Sequence, residues 1–107
     1  MLSDTVISAV ISAVRKGNRV AILAHQPGVV IRQLTERAPK ITRVRRANGN
    51  EAIVFRNKAH IIVRRHPSLL RGYTADLLVV PIGLTHEQRD EVIPCAIPTG
   101  GDVIGYY

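Results

Sequence analysis

The sequence predicts an α/β protein: a small, mostly parallel β-sheet flanked by helices, with an antiparallel β-meander inserted into it. Two short, continuous apolar runs, at residues 19–24 and 76–81, are typical of strands that are covered on both faces. Between them, residues 41–65 alternate apolar and polar side chains at the period of two that a half-buried strand requires. With 107 residues and one cysteine, Cys95, the chain is expected to form a single domain, residues 1–107, without an intrachain disulfide.

The N-terminal third predicts a helix, a buried strand and a second helix. Apolar residues from Val6 to Val14 recur at spacings of three and four, so residues 3–16 are expected to be helical with Ser3 as the N-cap. The first buried strand follows. Residues 27–37 then favour a helix that has a proline in its first turn.

The middle of the chain predicts three antiparallel strands. They are expected at residues 41–46, 51–56 and 59–65. Asn48-Gly49 favours a tight turn between the first two, because both residues tolerate a positive φ. In the third strand, Ile61 and Val63 are expected to face away from Arg64, which leaves arginines on the exposed face and at the ends of the meander.

The C-terminal third repeats the α/β pattern. A loop is expected at residues 67–74, before the second buried strand. Residues 85–93 predict a helix, and Thr85 with Gln88 has the spacing of a capping box. A short last strand is expected at residues 103–106.

Positive charge is concentrated in the middle of the chain. The formal net charge is +7, and eleven of the fifteen cations lie between Arg32 and Arg71, against two acids. Twelve of the fifteen are arginines, whose planar guanidinium suits phosphate. This segregation favours a polyanion partner, and nucleic acid above all. The residues expected to contact phosphate are Arg43, Arg45, Arg46, Arg56, Lys58, Arg64, Arg65 and Arg71.

Other chemistries find little support. The four histidines have no short metal-ligand spacing, so we expect no metal and no cofactor. Cys95 follows a proline, lacks a basic partner in sequence, and is expected to be a buried apolar residue. His25 follows a buried strand and is interpreted as a polar loop residue. No apolar run is long enough for a membrane span, and the lone cysteine fits the cytoplasm.

Several segments resemble the core of additional-strand P-loop ATPases, in particular phage terminase large subunits and related helicase-like ATPases. LRGYTADLLVV at 70–80 is similar to the approach to their Walker B strand, and LTHEQ at 84–88 to the start of their next helix. The segment at 52–62 resembles their preceding hairpin, and GNRVAIL at 17–23 the strand that follows their phosphate loop. The resemblance implies that strands at 19–24, 76–80 and 103–106 are neighbours in one sheet.

The departures from that family concern its catalytic parts. No Gly-x-x-x-x-Gly-Lys-Ser/Thr loop occurs, and Pro81 and Ile82 stand where the resemblance places the Walker B acids. Neither side chain can hold magnesium or orient a water molecule. The resemblance therefore implies a catalytically inactive relative whose C-terminal strand lacks its neighbour. We expect it in the cytoplasm, that of the host if the chain is phage-encoded.

The sequence as a whole favours a non-catalytic module that binds the phosphate backbone of nucleic acid, with DNA preferred. The alternative is an interaction or regulatory module that self-associates or pairs with another protein through an open strand edge at Val103, Ile104 and Tyr106. A third interpretation is a residual nucleotide binder without hydrolysis. Too few aromatic residues are present for a base-stacking platform, so nucleic-acid binding is expected to be weakly sequence-selective.

Overall fold

The computed structural model describes residues 2–38, 40–46, 50–96, 98 and 100–106. In chain order these residues form α1 (Asp4–Arg15), β1 (Arg19–Leu23), α2 (Pro27–Thr35), β2 (Ile41–Arg45), β3 (Ala52–Phe55), β4 (His60–Arg64), a 3₁₀ helix (Pro67–Leu70), β5 (Leu77–Pro81), α3 (His86–Val92), a second 3₁₀ helix (Ile93–Cys95) and β6 (Asp102–Tyr106). None of the described helices is long and apolar enough to cross a membrane.

The described strands form one mixed sheet in the order β2-β3-β4-β1-β5-β6. β1 is parallel to β4 and to β5, and β5 is parallel to β6. β3 is antiparallel to both of its neighbours, β2 and β4. The α/β class with an inserted meander is therefore confirmed, as is the adjacency of β1, β5 and β6. The meander is continuous with the parallel sheet, because its last strand pairs with β1.

Helices cover the two faces of the sheet unequally. On the α1 face, α1 and α2 pack against β1, β3, β4 and β5, with Val10, Ile31 and Leu34 essentially inaccessible to water. On the α3 face, α3 and the two 3₁₀ helices pack against β1, β4 and β5 through Leu70, Val92 and neighbouring residues. The described ends of the sheet, β2 and β6, receive less cover, and the candidate functional residues lie mostly there.

Helix caps follow the predicted chemistry. The Ser3 hydroxyl accepts a hydrogen bond from the Val6 N–H at 3.4 Å, which satisfies one free donor of the first turn of α1. Thr85 and Gln88 form the predicted capping box, with reciprocal bonds of 3.0 and 3.1 Å. Gly17 ends α1 with a φ of 83°, a conformation in which a side chain would be strained.

Two predictions differ from the structure. The segment at 67–74 is not wholly a loop, because Pro67 starts a 3₁₀ turn that buries Leu70 completely in the α3 face. The helix predicted at 85–93 ends at Val92 and tightens into the 3₁₀ turn Ile93–Cys95. Other element ends differ from prediction by one or two residues. Asn48 and Gly49, which predict a tight turn, lie outside the described residues.

Candidate functional site

A pair of arginines stands on the open face of the meander. A β-bulge between Ile41 and Arg43 shifts the register of β2 against β3. Ile41 and Val44 consequently both pack toward the α1 face, although they are three residues apart. Arg43 and Arg45 are exposed on the opposite face, about 6.6 Å apart along the strand.

The surface beside these arginines is apolar and shallow. Arg45 lies opposite Ala52, and Arg43 lies opposite Val54, whose side chain is 38% exposed. A cavity of about 140 Å³ on this face is lined, among the described residues, by Arg43, Arg45, Ala52, Val54, His60 and Ile62. We call this set the basic face. In the described part of the chain the helices on this side pack further along the sheet, so the face is open to a large ligand.

An aromatic pair borders the basic face. The rings of His60 and Tyr73 meet edge to face, with centroids 5.6 Å apart and an interplanar angle of 82°. Burial raises the pKa of Tyr73, so the phenol is neutral at physiological pH. Its hydroxyl is buried and has no hydrogen-bond partner among the described residues. No sequence motif indicates this pair, because only the fold brings Tyr73 against β4.

Arg64 is held inside the fold. Its Nη1 donates hydrogen bonds to the carbonyl oxygens of Glu51 at 2.8 Å and of Val63 at 3.0 Å. Burial lowers the pKa of Arg64, and the nearby carboxylate of Glu51 opposes that shift. Arg64 thus ties the start of β3 to the end of β4. The Nη1 donors of this predicted phosphate contact are therefore occupied by carbonyl groups of the fold.

The carboxyl end of the sheet contains a second group of basic residues. Arg46 and Arg65 are exposed just beyond β2 and β4. Arg65, His25 and His66 line a cavity of about 190 Å³ that also includes the end of β5. The histidines follow different strands, and sequence spacing gives no sign that they meet.

The fold explains why that cavity exists. The chain leaves β1 toward α2 on the α1 face, and it leaves the adjacent β4 toward the 3₁₀ helix on the α3 face. The two strand ends remain linked, since the Ala24 N–H donates to the Arg64 carbonyl oxygen at 2.9 Å. Such a divergence of loops opens a crevice at the carboxyl edge of a parallel sheet, the position where open α/β sheets bind ligands.

The remaining predicted phosphate contacts lie elsewhere. Arg56 and Lys58 are exposed in the β3–β4 turn, at the amino end of the parallel strands. There Arg56 lines a different cavity together with Arg15 and Lys40, which the sequence analysis did not select. Arg71 is exposed at the end of the first 3₁₀ helix, on the α3 side. The eight predicted residues are therefore divided among several surfaces.

Of the three residues predicted to form the partner-binding edge, Val103 is exposed and the other two are not. β6 is an edge strand of the described sheet, and Val103 is 44% exposed. Ile104 packs against the α1-face core, and Tyr106 is buried, with its hydroxyl donating to the Leu23 carbonyl oxygen at 2.6 Å. Hydrogen bonds from Asp102 N–H and to the Tyr106 carbonyl face β5, so the strand's alternation directs the backbone groups of Val103 outward.

An apolar cleft lies next to this edge. It has a volume of about 400 Å³ and is lined by Val103, Ile82, Leu84 and Ile93, among others. Ile82 is 55% exposed, and Pro81 ends β5 beside it. These two side chains offer no metal ligand. Across the described residues, no three histidine, cysteine or acidic side chains lie close enough together to hold a metal ion.

Cys95 is placed as predicted. Its side chain is buried, and the thiol contacts the Leu70 carbonyl oxygen at 3.0 Å. Burial raises the pKa of Cys95, which keeps the thiol protonated and poorly nucleophilic.

Comparison with known proteins leaves the family open. No protein-family model matches the chain, and neither a curated protein nor a solved structure matches it.

Proposed function

We propose that this protein is a non-catalytic module that binds the phosphate backbone of nucleic acid, with DNA as the favoured partner. The observation that carries the proposal is the basic face, where Arg43 and Arg45 stand side by side on an uncovered sheet. Neither arginine belongs to the ion pairs found among the described residues, which join Arg19 to Asp76 and Arg37 to Asp4.

The surface extends from this face to the carboxyl end of the sheet. Arg46 and Arg65 are exposed there, and the crevice with His25 and His66 adjoins them. A bound strand that follows this path meets cations and small apolar side chains, with one histidine–tyrosine pair at its border. Such a surface contacts phosphates in preference to base edges. We therefore expect an affinity that falls steeply with salt concentration and depends little on nucleotide sequence.

The adjacency of β1, β5 and β6 supports descent from a terminase-like or helicase-like ATPase, since the resemblance in sequence implies that order. Pro81 and Ile82 support the absence of hydrolysis, because neither provides an oxygen ligand for magnesium. In this proposal the protein acts in the cytoplasm, that of the host if the chain is phage-encoded.

Fluorescence anisotropy with labelled single-stranded DNA, double-stranded DNA and RNA tests the proposal. The double variant Arg43→Glu/Arg45→Glu is expected to abolish binding. A control variant, Arg15→Glu/Arg56→Glu, makes the same change in net charge at the amino end and is expected to retain it. Equal losses in both variants would show that only net charge matters, and absence of binding by the unaltered protein at low salt would refute the function.

The open edge of β6 supports a second candidate function, self-association. Val103 and Ile82 expose apolar surface beside unpaired backbone groups, and two copies of β6 can pair edge to edge. Light scattering is expected to give a dimer mass that Val103→Lys reduces to a monomer mass. A monomer at high concentration would exclude self-association, and capture of the protein by another chain through the same edge would favour a heteromeric partner.

A further inference from the structure

A cavity at the amino end of the sheet has no role in the proposed nucleic-acid surface. It has a volume of about 530 Å³ and lies between the last turn of α1, the start of β2 and the β3–β4 turn. Its lining residues are Val14, Arg15, Lys40, Phe55, Arg56 and Asn57. The volume falls within the range of small-molecule sites and is well above that of the 190 Å³ crevice at the carboxyl end.

Three cations are found among the described residues that line this cavity, and none of those residues is acidic. Arg15, Lys40 and Arg56 come from three separate segments and are all exposed. None of them takes part in the ion pairs found among the described residues. Like charges placed together without a counter-ion repel one another, and a bound anion would relieve that repulsion.

Hydrogen bonds hold the walls of the cavity in place without a ligand. The Asn57 side chain donates to the Val14 carbonyl oxygen at 2.7 Å and accepts from the Ala59 N–H at 3.0 Å. The Arg56 N–H donates to the Lys40 carbonyl oxygen at 3.3 Å. A site whose walls are already joined loses little conformational entropy when it binds.

The negative end of the α1 dipole, which would oppose an anion, is partly neutralised. The Val14 carbonyl oxygen, at that end of the helix, accepts hydrogen bonds from both Asn57 and the Gly17 N–H. Donors on this carbonyl reduce its exposed partial charge.

Lys40 has an unusual backbone conformation for a lysine. Its φ is 50°, in the left-handed region where glycine and asparagine are favoured. Glycine would fit this backbone with less strain, but Lys40 places an ammonium group among the residues that line the cavity. Strained positions of this kind occur preferentially at ligand sites.

From these observations we propose that the amino-end cavity binds a small molecule that carries two or more linked phosphates and a flat aromatic ring. The cations at the rim would bind the phosphates, and Val14 and Phe55 would contact the ring from the cavity floor. The site lies at the end of the sheet opposite the carboxyl-end crevice, so it is independent of the proposed nucleic-acid surface.

Calorimetric titration with inorganic phosphate, pyrophosphate and ADP tests the proposal. ADP is expected to bind more tightly than pyrophosphate, and pyrophosphate more tightly than phosphate. At 100 times its Kd, ADP should raise the Tm by about 10 °C. Absence of binding by any of the three at low salt would overturn the proposal, and equal affinity for ADP and pyrophosphate would overturn the assignment of the apolar floor.

Single variants separate binding from folding. Arg56→Gln and Arg15→Gln are each expected to weaken ADP binding by about tenfold. Lys40→Gly should weaken it similarly while leaving the Tm of the free protein nearly unchanged, because the relief of strain offsets the added flexibility of glycine. Unchanged ADP affinity in all three would refute the site.

Measuring ADP binding in the basic-face variant and DNA binding in a cavity variant distinguishes this site from the nucleic-acid surface. The Arg43→Glu/Arg45→Glu variant should bind ADP normally, and Lys40→Gly/Arg56→Gln should bind DNA normally. Loss of ADP binding in the first variant would place the ligand on the basic face and overturn the assignment made here.

Discussion

Two buried tyrosine hydroxyls predict opposite responses to the same substitution. The Tyr106 hydroxyl donates to the Leu23 carbonyl oxygen at 2.6 Å, beneath β5, and thereby joins the edge strand β6 to the central strand β1. The Tyr73 hydroxyl is also buried but has no hydrogen-bond partner among the described residues. Replacing each residue with phenylalanine removes only the hydroxyl and keeps the ring.

The expected change in unfolding free energy depends on whether removing the hydroxyl leaves a buried acceptor without its donor. Tyr106→Phe leaves the buried Leu23 carbonyl without this donor, which costs about 1–2 kcal/mol of unfolding free energy. For a chain of this size that lowers the Tm by roughly 4–8 °C. Tyr73→Phe removes a buried polar group that has no partner, so the Tm is expected to stay the same or rise.

Thermal and urea unfolding of the two variants provide the comparison. The two substitutions delete the same atom, a buried hydroxyl oxygen, from two tyrosines, so each variant is the control for the other. Equal destabilisation by both, or an unchanged Tm in Tyr106→Phe, would refute the reasoning and would show that β6 is not attached through this bond.

The remaining predictions concern pH, one ion pair and one glycine. Burial raises the pKa of both Tyr73 and Tyr106 above the ordinary value near 10. Their contribution to stability is therefore complete below about pH 10 and is lost as the pH rises through the folded-state pKa values. Urea unfolding with tyrosinate absorbance checks this, and a Tyr73→Phe/Tyr106→Phe variant should lose the pH dependence. The Arg19 backbone N–H donates to the Asp76 carboxylate at 2.8 Å and holds the pKa of Asp76 below its usual value. The stability that this carboxylate contributes is present above about pH 4 and is lost as the pH falls through the folded-state pKa. Asp76→Ala should therefore reduce the loss of unfolding free energy at acidic pH. Gly105→Ala should cost less than about 1 kcal/mol in urea unfolding, because the new Cβ would lie 3.0 Å from Cγ1 of Ile82, a side chain exposed enough to move aside.

Local patterns predicted most of the elements. The apolar stripe of α1, its Ser3 cap and the Thr85 capping box act over three or four residues, and such short-range signals are fully contained in the sequence. The continuous apolar runs at β1 and β5 predicted strands buried on both faces, and these strands lie in the interior of the sheet.

Features that depend on strand pairing were not predictable in the same way. β4 was predicted as the third strand of the meander, with Arg64 on its exposed side. It lies between β3 and β1, so Ile62, which shares that side, is buried. The bulge that puts Ile41 and Val44 on the same face depends on the register of β2 with β3. Periodicity within one strand contains no information on either.

At the candidate sites, too, the sequence predicted local exposure but not tertiary contacts. Exposure of the arginines was predicted from the alternation, and most of them are exposed. Arg64 is turned inward to two carbonyl groups, and Tyr106 is turned inward to β1, because tertiary acceptors compete for these side chains. The meeting of Arg15, Lys40 and Arg56 depends on three distant segments, which share no motif.

The salt dependence of DNA binding tests the central proposal most directly. Four exposed arginines, Arg43, Arg45, Arg46 and Arg65, lie on the proposed surface, and if each neutralises one phosphate of duplex DNA, a plot of log K against log salt has a slope of about −3.6. Affinity should then fall about 150-fold between 50 and 200 mM salt.

The variant Arg43→Gln/Arg45→Gln should reduce the slope to about −1.8, and the fall in affinity to about 12-fold. An unchanged slope in this variant, with binding retained, would show that DNA lies elsewhere on the protein and would contradict the assignment of the basic face.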